Sequence, residues 1–386
     1  MHRIVVVGAG YAGMLTAVSL IGRTGRRDDV SVTVVNATDR FTERLRLHQT
    51  ATGQHLPELE IRRFVDDLEV GWVTGIDLTA RTVRIDDERE IGYDTLVYAL
   101  GGSADTSAVP GAADHAYTLD SATDAELFAR RLGELSEGRV LVCGSGLTGL
   151  EAATEIAERF PQLTVTLLGR TPPGRDLGPK ARDHMRSALR RLSVSVEVAE
   201  IAKVRPDGAD LAGGVSLPAD VILWTSGVRV SPLAAAAGLT VDDHGRIVTD
   251  ATLRSISHPE VYAVGDAAAI TQRYGVMHGT CQSGMPTGAH AAAQIVRELD
   301  GKAPKPFRFG YLHEPVSLGR RDAVIQFVHP DETPKRFYLS GRAAVWYKET
   351  VSSAPWTTYG RILRRPGIGM LGWRRGGRYT RLSGTR

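Results

Sequence analysis

Apolar residues in this chain gather into short unbroken runs, and five of those runs stop on glycine. Ile4–Val7 runs into Gly8, TLVYALGG closes on Gly101 and Gly102, and Val140–Cys143 meets Gly144. DVILWTSGV (220–228) reaches Gly227, and EVYAVGDAAAI (260–270) reaches Gly265. Continuous rather than alternating apolar text predicts strands buried on both faces. Further strands are expected in SVTVVNATD, in LTVTLLGR (163–170) and over Val194–Val198. The text from Glu69 to Ile91 alternates and is broken by Gly and Asp, which predicts an antiparallel meander. Helical patterning is expected after Gly13, around Leu59–Asp66, over Glu126–Leu135, after Gly149, over 180–191, Met285–Leu299 and Arg342–Val351. Pro304 and Pro306 mark a boundary, beyond which the last eighty or so residues look β-rich with a terminal helix.

Two of the five runs open a G-x-G-x-x-G sequence. Gly8, Gly10 and Gly13 lie between a buried strand and a small-residue helix, and a second strand follows. Gly144, Gly146 and Gly149 repeat the arrangement. The chemistry explains the spacing: one glycine makes the tight turn, one lets backbone approach a pyrophosphate, and one allows close helix–strand packing. The ligand's charge then meets the free N–H groups and positive end of the helix. Strand–turn–helix context, found twice, predicts two dinucleotide-binding units. The expected fold class is α/β, with two Rossmann-like domains and a small C-terminal α+β domain. The first domain is discontinuous, 1–111 with 236–303; the second covers 112–235; the third covers 304–386.

Composition narrows the class. With 42% hydrophobic and 24% charged residues, the chain is globular, and its 386 residues suit two or three domains. Cys143 and Cys281 are the only cysteines, so no disulfide framework is expected and a cytoplasmic setting is. A net charge of +3 gives no reason to expect nucleic acid. Its distribution says more: residues 361–386 contain eight arginines and no acid, leaving the remainder net negative. No apolar run is long enough to span a membrane. The tail carries Ile362, Leu363, Ile368, Met370, Leu371 and Trp373, but Pro366 and six glycines from Gly360 to Gly377 oppose one amphipathic helix. Peripheral membrane contact is therefore not favoured, and the oligomeric state stays open.

The five landmarks, in their order, resemble the two-dinucleotide-binding-domain flavoproteins, a superfamily of glutathione-reductase-like enzymes, ferredoxin reductases and type II NADH dehydrogenases. LHQTATG, ILWTSGV and SLGRRDAVIQF look most like the type II NADH dehydrogenases. The resemblance implies an oxidoreductase in which the first fingerprint and Gly265-Asp266 hold FAD and the second holds NADPH or NADH. It implies cofactor contacts at Gly8, Gly10, Tyr11, Ala12, Gly13, Asn36, Arg44, Val73, Gly101, Gly144, Gly146, Leu147, Thr148, Gly149, Arg170, Gly227, Gly265 and Asp266, and no metal. Asp266 would accept hydrogen bonds from the ribityl hydroxyls, or else cap a helix before Ala267. Hydride passes from nicotinamide to flavin, and electrons go on to a quinone or quinone-like acceptor. A ferredoxin reductase, or a redox-dependent binding protein with slow turnover, are the alternatives.

Departures from the family pattern sharpen this. The acidic residue that usually ends the second strand of each unit is Asn36 in one and Gly169, followed by Arg170, in the other. An arginine without a neighbouring carboxylate favours a 2′-phosphate, so NADPH is preferred over NADH unless Arg170 is a solvated loop residue. Glu151 stands in the first helical turn after Gly149. It either orients the nicotinamide near the flavin or stabilises the helix dipole. Lys348, in VWYKE, approaches the flavin from the last domain or lies on the surface. No redox C-x-x-C is present. The family's quinone segment, A-Q-x-A-x-Q-Q-G, corresponds to CQSGMPTG (281–288): Gln282 and Gly288 persist, while Pro286 and Thr287 replace the paired glutamines. Glu151, Lys348 and Gln282 are the candidate catalytic residues.

Overall fold

The computed structural model describes residues 1–366. Its frame is two parallel sheets. The first has strand order Val261–Ala263, Thr95–Tyr98, His2–Val7, Val30–Asn36, Leu68–Val70, and every neighbouring pair is parallel. The second runs Ser195–Val198, Leu163–Gly169, Gly138–Cys143, Val221–Trp224, again all parallel. In each sheet the fingerprint strand lies inside, with the chain crossing over to opposite sides. That puts the switch point, where open α/β sheets bind ligands, at the strand's glycine end. Ile4–Val7 and Val140–Cys143 are all buried, as unbroken apolar runs require.

The strand Leu68–Val70 joins the edge of the first sheet, so the antiparallel meander is confined to Val73–Asp77, Thr82–Ile85 and Arg89–Gly92. Leu59–Asp66 is not helical beyond a single 3-10 turn, Ile61–Arg63. Tertiary pairing overrides the helical pattern there: Phe41 N–H donates to Leu59 O at 2.7 Å and Ile61 N–H to Asp39 O at 2.9 Å. The alanine-rich helix starts earlier than its apolar pattern suggests, at Cys281, and runs to Leu299. A capping box starts it, with Ser283 N–H donating to Thr280 Oγ1 and Thr280 N–H to Ser283 Oγ.

After Pro304 and Pro306 the chain forms three antiparallel strands, His313–Ser317, Ala323–Val328 and Pro334–Ser340. The last helix is Gly341–Arg364, longer than expected because it passes through Pro355. Its far half is anchored by aromatic packing. Trp356 stacks on Phe41 at 5.6 Å, Tyr359 meets Phe41 edge-on at 5.6 Å, and Phe41 meets Tyr11 edge-on at 5.1 Å. Tyr359 Oη donates to Tyr11 O at 3.2 Å, tying the helix to the first fingerprint. Arg23 donates to Pro366 O at 2.7 Å, so the chain up to Pro366 lies on its own body. Ile368, Met370, Leu371 and Trp373 fall outside the described residues. Among the described residues no helix is long and apolar enough to cross a membrane.

Two segments link the sheets. Gly102–Ala104, after the first sheet's strand-to-glycine run, pairs antiparallel with Val228–Val230, after the second's. Gly101 and Gly227, where those runs turn, have φ of +65° and +74°, the left-handed region that suits glycine.

Candidate functional site

The two fingerprint loops have nearly the same shape. A Cβ on Gly13 would lie 1.9 Å from Gly8 O, and one on Gly149 would lie 1.8 Å from Gly144 O, so strand and helix touch there. A Cβ on Gly10 or Gly146 would meet nothing within 4 Å. These two residues precede the helices Tyr11–Thr24 and Leu147–Arg159, and neither helix has a side-chain cap. Uncapped N–H groups facing open space at a switch point suit a pyrophosphate.

The loops differ in what holds them. Asn36 Oδ1 accepts Ala9 N–H at 2.9 Å, and its Nδ2 donates to Thr38 O at 2.8 Å, so Asn36 braces the first loop. In the second, Ser145 Oγ donates to Thr171 O at 2.6 Å across the strand end. A Cβ on Gly169 would lie 2.3 Å from Ser145 Oγ, which explains why no carboxylate stands there. Arg170 follows and is exposed, as are Leu147 and Thr148.

The first loop is roofed. Ala12 packs under the helix Cys281–Leu299, where a Cβ on Gly288 would lie 2.2 Å from Ala12 O. Gly265 has φ +66°, and its N–H donates to Thr287 Oγ1 at 2.9 Å. Thr287 thus fixes the Gly-Asp turn. Asp266 is not an N-cap: it lies inside the 3-10 turn Gly265–Ala267, whose cap is Val264. Its carboxyl makes no hydrogen bond or ion pair among the described residues, and burial raises its pKa although Arg44 and His278 pull it down. A half-buried carboxyl without a partner among the described residues, on a turn that packs against Ala12 of the phosphate loop, fits a polyhydroxylated cofactor chain. Arg44 pairs with Asp120 at 3.0 Å and bonds the Gly102 carbonyl, and Val73 packs against the first core. Tyr11 Oη accepts Leu45 N–H at 3.3 Å.

Glu151 and Lys348 come together although 197 positions separate them in the sequence. Lys348 is buried, so the surface alternative is wrong, and its Nζ lies 2.7 Å from Glu151 Oε1 and donates to Pro315 O at 3.2 Å. Ser317 N–H donates to the same Glu151 oxygen at 2.9 Å. Burial pushes the Glu151 pKa up, but Lys348, His48 and Ser317 outweigh it, and the net direction is down. Glu151 is therefore an anion in a buried ion pair joining the second fingerprint helix to the last helix. The helix-dipole reading does not account for that pairing.

Gln282 is elsewhere engaged. Its Nε2 donates to His313 O at 2.8 Å and its Oε1 accepts Leu312 N–H at 2.7 Å, so the amide clamps the start of a strand. Sequence reasoning missed His48 and Glu155. His48 is in the short helix Leu47–Thr50, within text read as loop, and Glu155 lies one turn beyond Glu151. The latter spacing, i and i+4, was the available signal. Cys143 sits in a strand of the second sheet and Cys281 opens the roofing helix; both are free. Burial raises the two thiols to about 12 and about 11, so neither is a resting thiolate.

Comparison with known proteins agrees with this geometry. An NADH dehydrogenase-like protein of Mycobacterium tuberculosis is 28% identical over 354 residues, covering 84% of this chain and 87% of that protein. A type II NADH:quinone oxidoreductase of Staphylococcus epidermidis is 24% identical over 365 residues, covering 83% and 89%. The solved structure of NDH2 from Plasmodium falciparum in complex with NADH superposes with a TM-score of 0.77 at 13% identity, covering 94% and 97%. The family model described as pyridine nucleotide-disulphide oxidoreductase matches residues 2–294. The chain belongs to that family, as an FAD-dependent NAD(P)H oxidoreductase with no disulfide among its described residues.

Proposed function

We propose that this protein oxidises NAD(P)H and passes the electrons to a quinone or a quinone-like small organic acceptor. The observation that carries this is the buried Glu151–Lys348 pair, built where the second fingerprint helix meets the last helix, in a chain whose two thiols are both protonated at rest. The names of the relatives, NADH dehydrogenase-like and NADH:quinone oxidoreductase, support it. FAD, when bound, supplies the chemistry of accepting a hydride and returning two electrons.

The chain's own residues do the rest. Gly10, with the uncapped first helix, would hold the FAD pyrophosphate, and Asp266 would take hydroxyl bonds from its ribityl chain. Gly146 and the second helix would hold the nicotinamide dinucleotide. Arg170 would pair with a 2′-phosphate, which favours NADPH. Glu151, kept anionic by Lys348, orients groups at the junction, and Lys348 places positive charge there. The division 1–111 with 236–303, 112–235 and 304–386 assigns FAD, nicotinamide and closing roles to the three parts.

Thr287 holds Gly265, and Pro286 carries no donor, so the acceptor meets a surface without paired glutamines. An acceptor screen tests the proposal. Protein reduced anaerobically with NAD(P)H is mixed in a stopped-flow instrument with short-chain quinones, a ferredoxin or dyes. Fast reoxidation by a quinone is expected. Reduced protein that persists with every quinone, or that a ferredoxin reoxidises faster, would overturn it.

A further inference from the structure

Reduction of a quinone by NAD(P)H takes one proton from water: the hydride brings two electrons and one proton, and the quinol needs a second proton. Glu151 lies too deep to take it directly from solvent, being 7% exposed. Its Oε1 is already used by Lys348 and Ser317. Its Oε2 faces His48 Nδ1 at 3.7 Å, and on the far side of the ring His48 Nε2 faces Glu155 Oε1 at 3.9 Å. Beyond Glu155 the way leads outward. Its Oε2 accepts from Gln54 Nε2 at 3.3 Å, and its Oε1 is 3.4 Å from Arg320, whose side chain is 34% exposed.

We propose that His48 relays this proton inward, taking it at Nε2 from Glu155 and releasing the one on Nδ1 to Glu151, which hands it on to the two-electron-reduced acceptor and returns to its anionic state. The inference rests on the function proposed above. A ring with a carboxyl group facing each nitrogen can take a proton on one side and release one on the other, resetting by a ring flip between turnovers, and among the described residues His48 Nε2 is buried with no hydrogen-bond partner, free to accept. A buried unpaired nitrogen is costly, and an apolar side chain of similar size would pack without that cost. Each gap exceeds hydrogen-bond length by roughly 1 Å or less, within reach of ordinary side-chain motion.

The groups around the ring suit the task. Glu151 and Glu155 face it from the second fingerprint helix, Lys348 and Glu349 from the last helix, Arg320 from the turn before Ala323, and Arg46 precedes it on its own segment. Burial, with Lys348 and Arg320, lowers the ring to about 4 against the pull of Glu151 and Glu349, so it rests neutral. Burial raises Glu155 to about 7 against Arg320, which leaves it a proton to give near neutrality. Glu155 is then refilled from solvent past Gln54 and Arg320.

The test compares the two half-reactions in FAD-loaded wild type, His48→Gln and Glu155→Gln, with FAD content and Tm followed in each. His48→Gln is expected to slow reoxidation by a quinone at least about tenfold more than reduction by NAD(P)H, with a larger solvent deuterium isotope effect on reoxidation alone. Glu155→Gln carries the same expectation, so failure of one variant to fold leaves the other decisive. In the FAD-free protein, nitrogen-15 signals of His48 should follow a titration near pH 7 that vanishes in Glu155→Gln. Wild-type reoxidation rates and isotope effects in both variants would overturn the relay. Wild type that no quinone reoxidises would instead overturn the function on which it rests.

Discussion

The two fingerprint loops share strand, turn and helix, yet one is roofed by a further helix and the other is not. The first lies under the helix Cys281–Leu299, with Gly288 against Ala12 and the Gly265-Asp266 turn packed beside Ala12 at Gly265. Gly10 and Gly146 are exposed alike, but where the first loop half-buries Tyr11 and buries Ala12, the second leaves Leu147 and Thr148 exposed, and the exposed Arg170 follows its second strand. Identical local sequence logic thus serves opposite ends. A roofed loop retains its dinucleotide through turnover, whereas an unroofed one lets its dinucleotide exchange. A prosthetic FAD and a substrate nicotinamide require that asymmetry.

The sharpest way to break the comparison is to fill both loops alike. Gly10 and Gly146 have extended backbone with φ of −71° and −70°, and a Cβ meets nothing at either. Gly10→Val and Gly146→Val should therefore fold. Gly10→Val should purify without FAD. Gly146→Val should stay yellow and show a KM for NAD(P)H raised at least about tenfold, or about 1.4 kcal/mol. Absorbance spectra and steady-state kinetics read both, and loss of FAD from Gly146→Val would reverse the assignment.

A second prediction concerns the pair that ties the second unit to the last helix. Lys348→Met leaves Glu151 charged and buried, and should cost about 3–5 kcal/mol in denaturant unfolding. Adding Glu151→Gln should recover most of that loss. If the double variant is no more stable than Lys348→Met, the two residues are not coupled.

Arg170→Glu sharpens the unroofed side. It should raise the KM for NADPH roughly tenfold more than that for NADH, since it replaces a 2′-phosphate partner with a repelling charge. An unchanged ratio would remove Arg170 from the site.

The smallest effect is on stability against pH. Glu155 has its pKa raised from 4.5 to about 7, mainly by burial, so the folded state holds that proton more tightly than the unfolded state. Its contribution is full below 4.5 and is lost as pH rises through about 7. Gln mimics the protonated form. Glu155→Gln should match wild type at the acid end and gain a few degrees of Tm at the alkaline end. A gap that does not change with pH would mean that Glu155 does not titrate in this window.

What could be read in advance follows from distance along the chain. A phosphate loop is local, so Gly8 to Gly13 and Gly144 to Gly149 announce both units. The crossovers between them dictate two parallel sheets. The junction is not local: His48, Glu151, Glu155 and Lys348 come from three separate segments, and nothing in VWYKE shows that its lysine is buried. Gln282 misled for a related reason, because its amide is consumed by Leu312 and His313, thirty residues on. Pro355 hid the length of the last helix, whose far half depends on Trp356 and Tyr359 meeting Phe41.

The asymmetry itself is tested most directly by gel filtration of the oxidised protein after incubation with excess FAD and NAD(P)⁺, followed by anaerobic titration with NAD(P)H. The account predicts that FAD leaves the column with the protein in a one-to-one ratio, that the nicotinamide dinucleotide is stripped away, and that fresh NAD(P)H bleaches the yellow colour. A colourless protein that cannot be reloaded with FAD, or one that retains the nicotinamide dinucleotide and releases FAD, would contradict it.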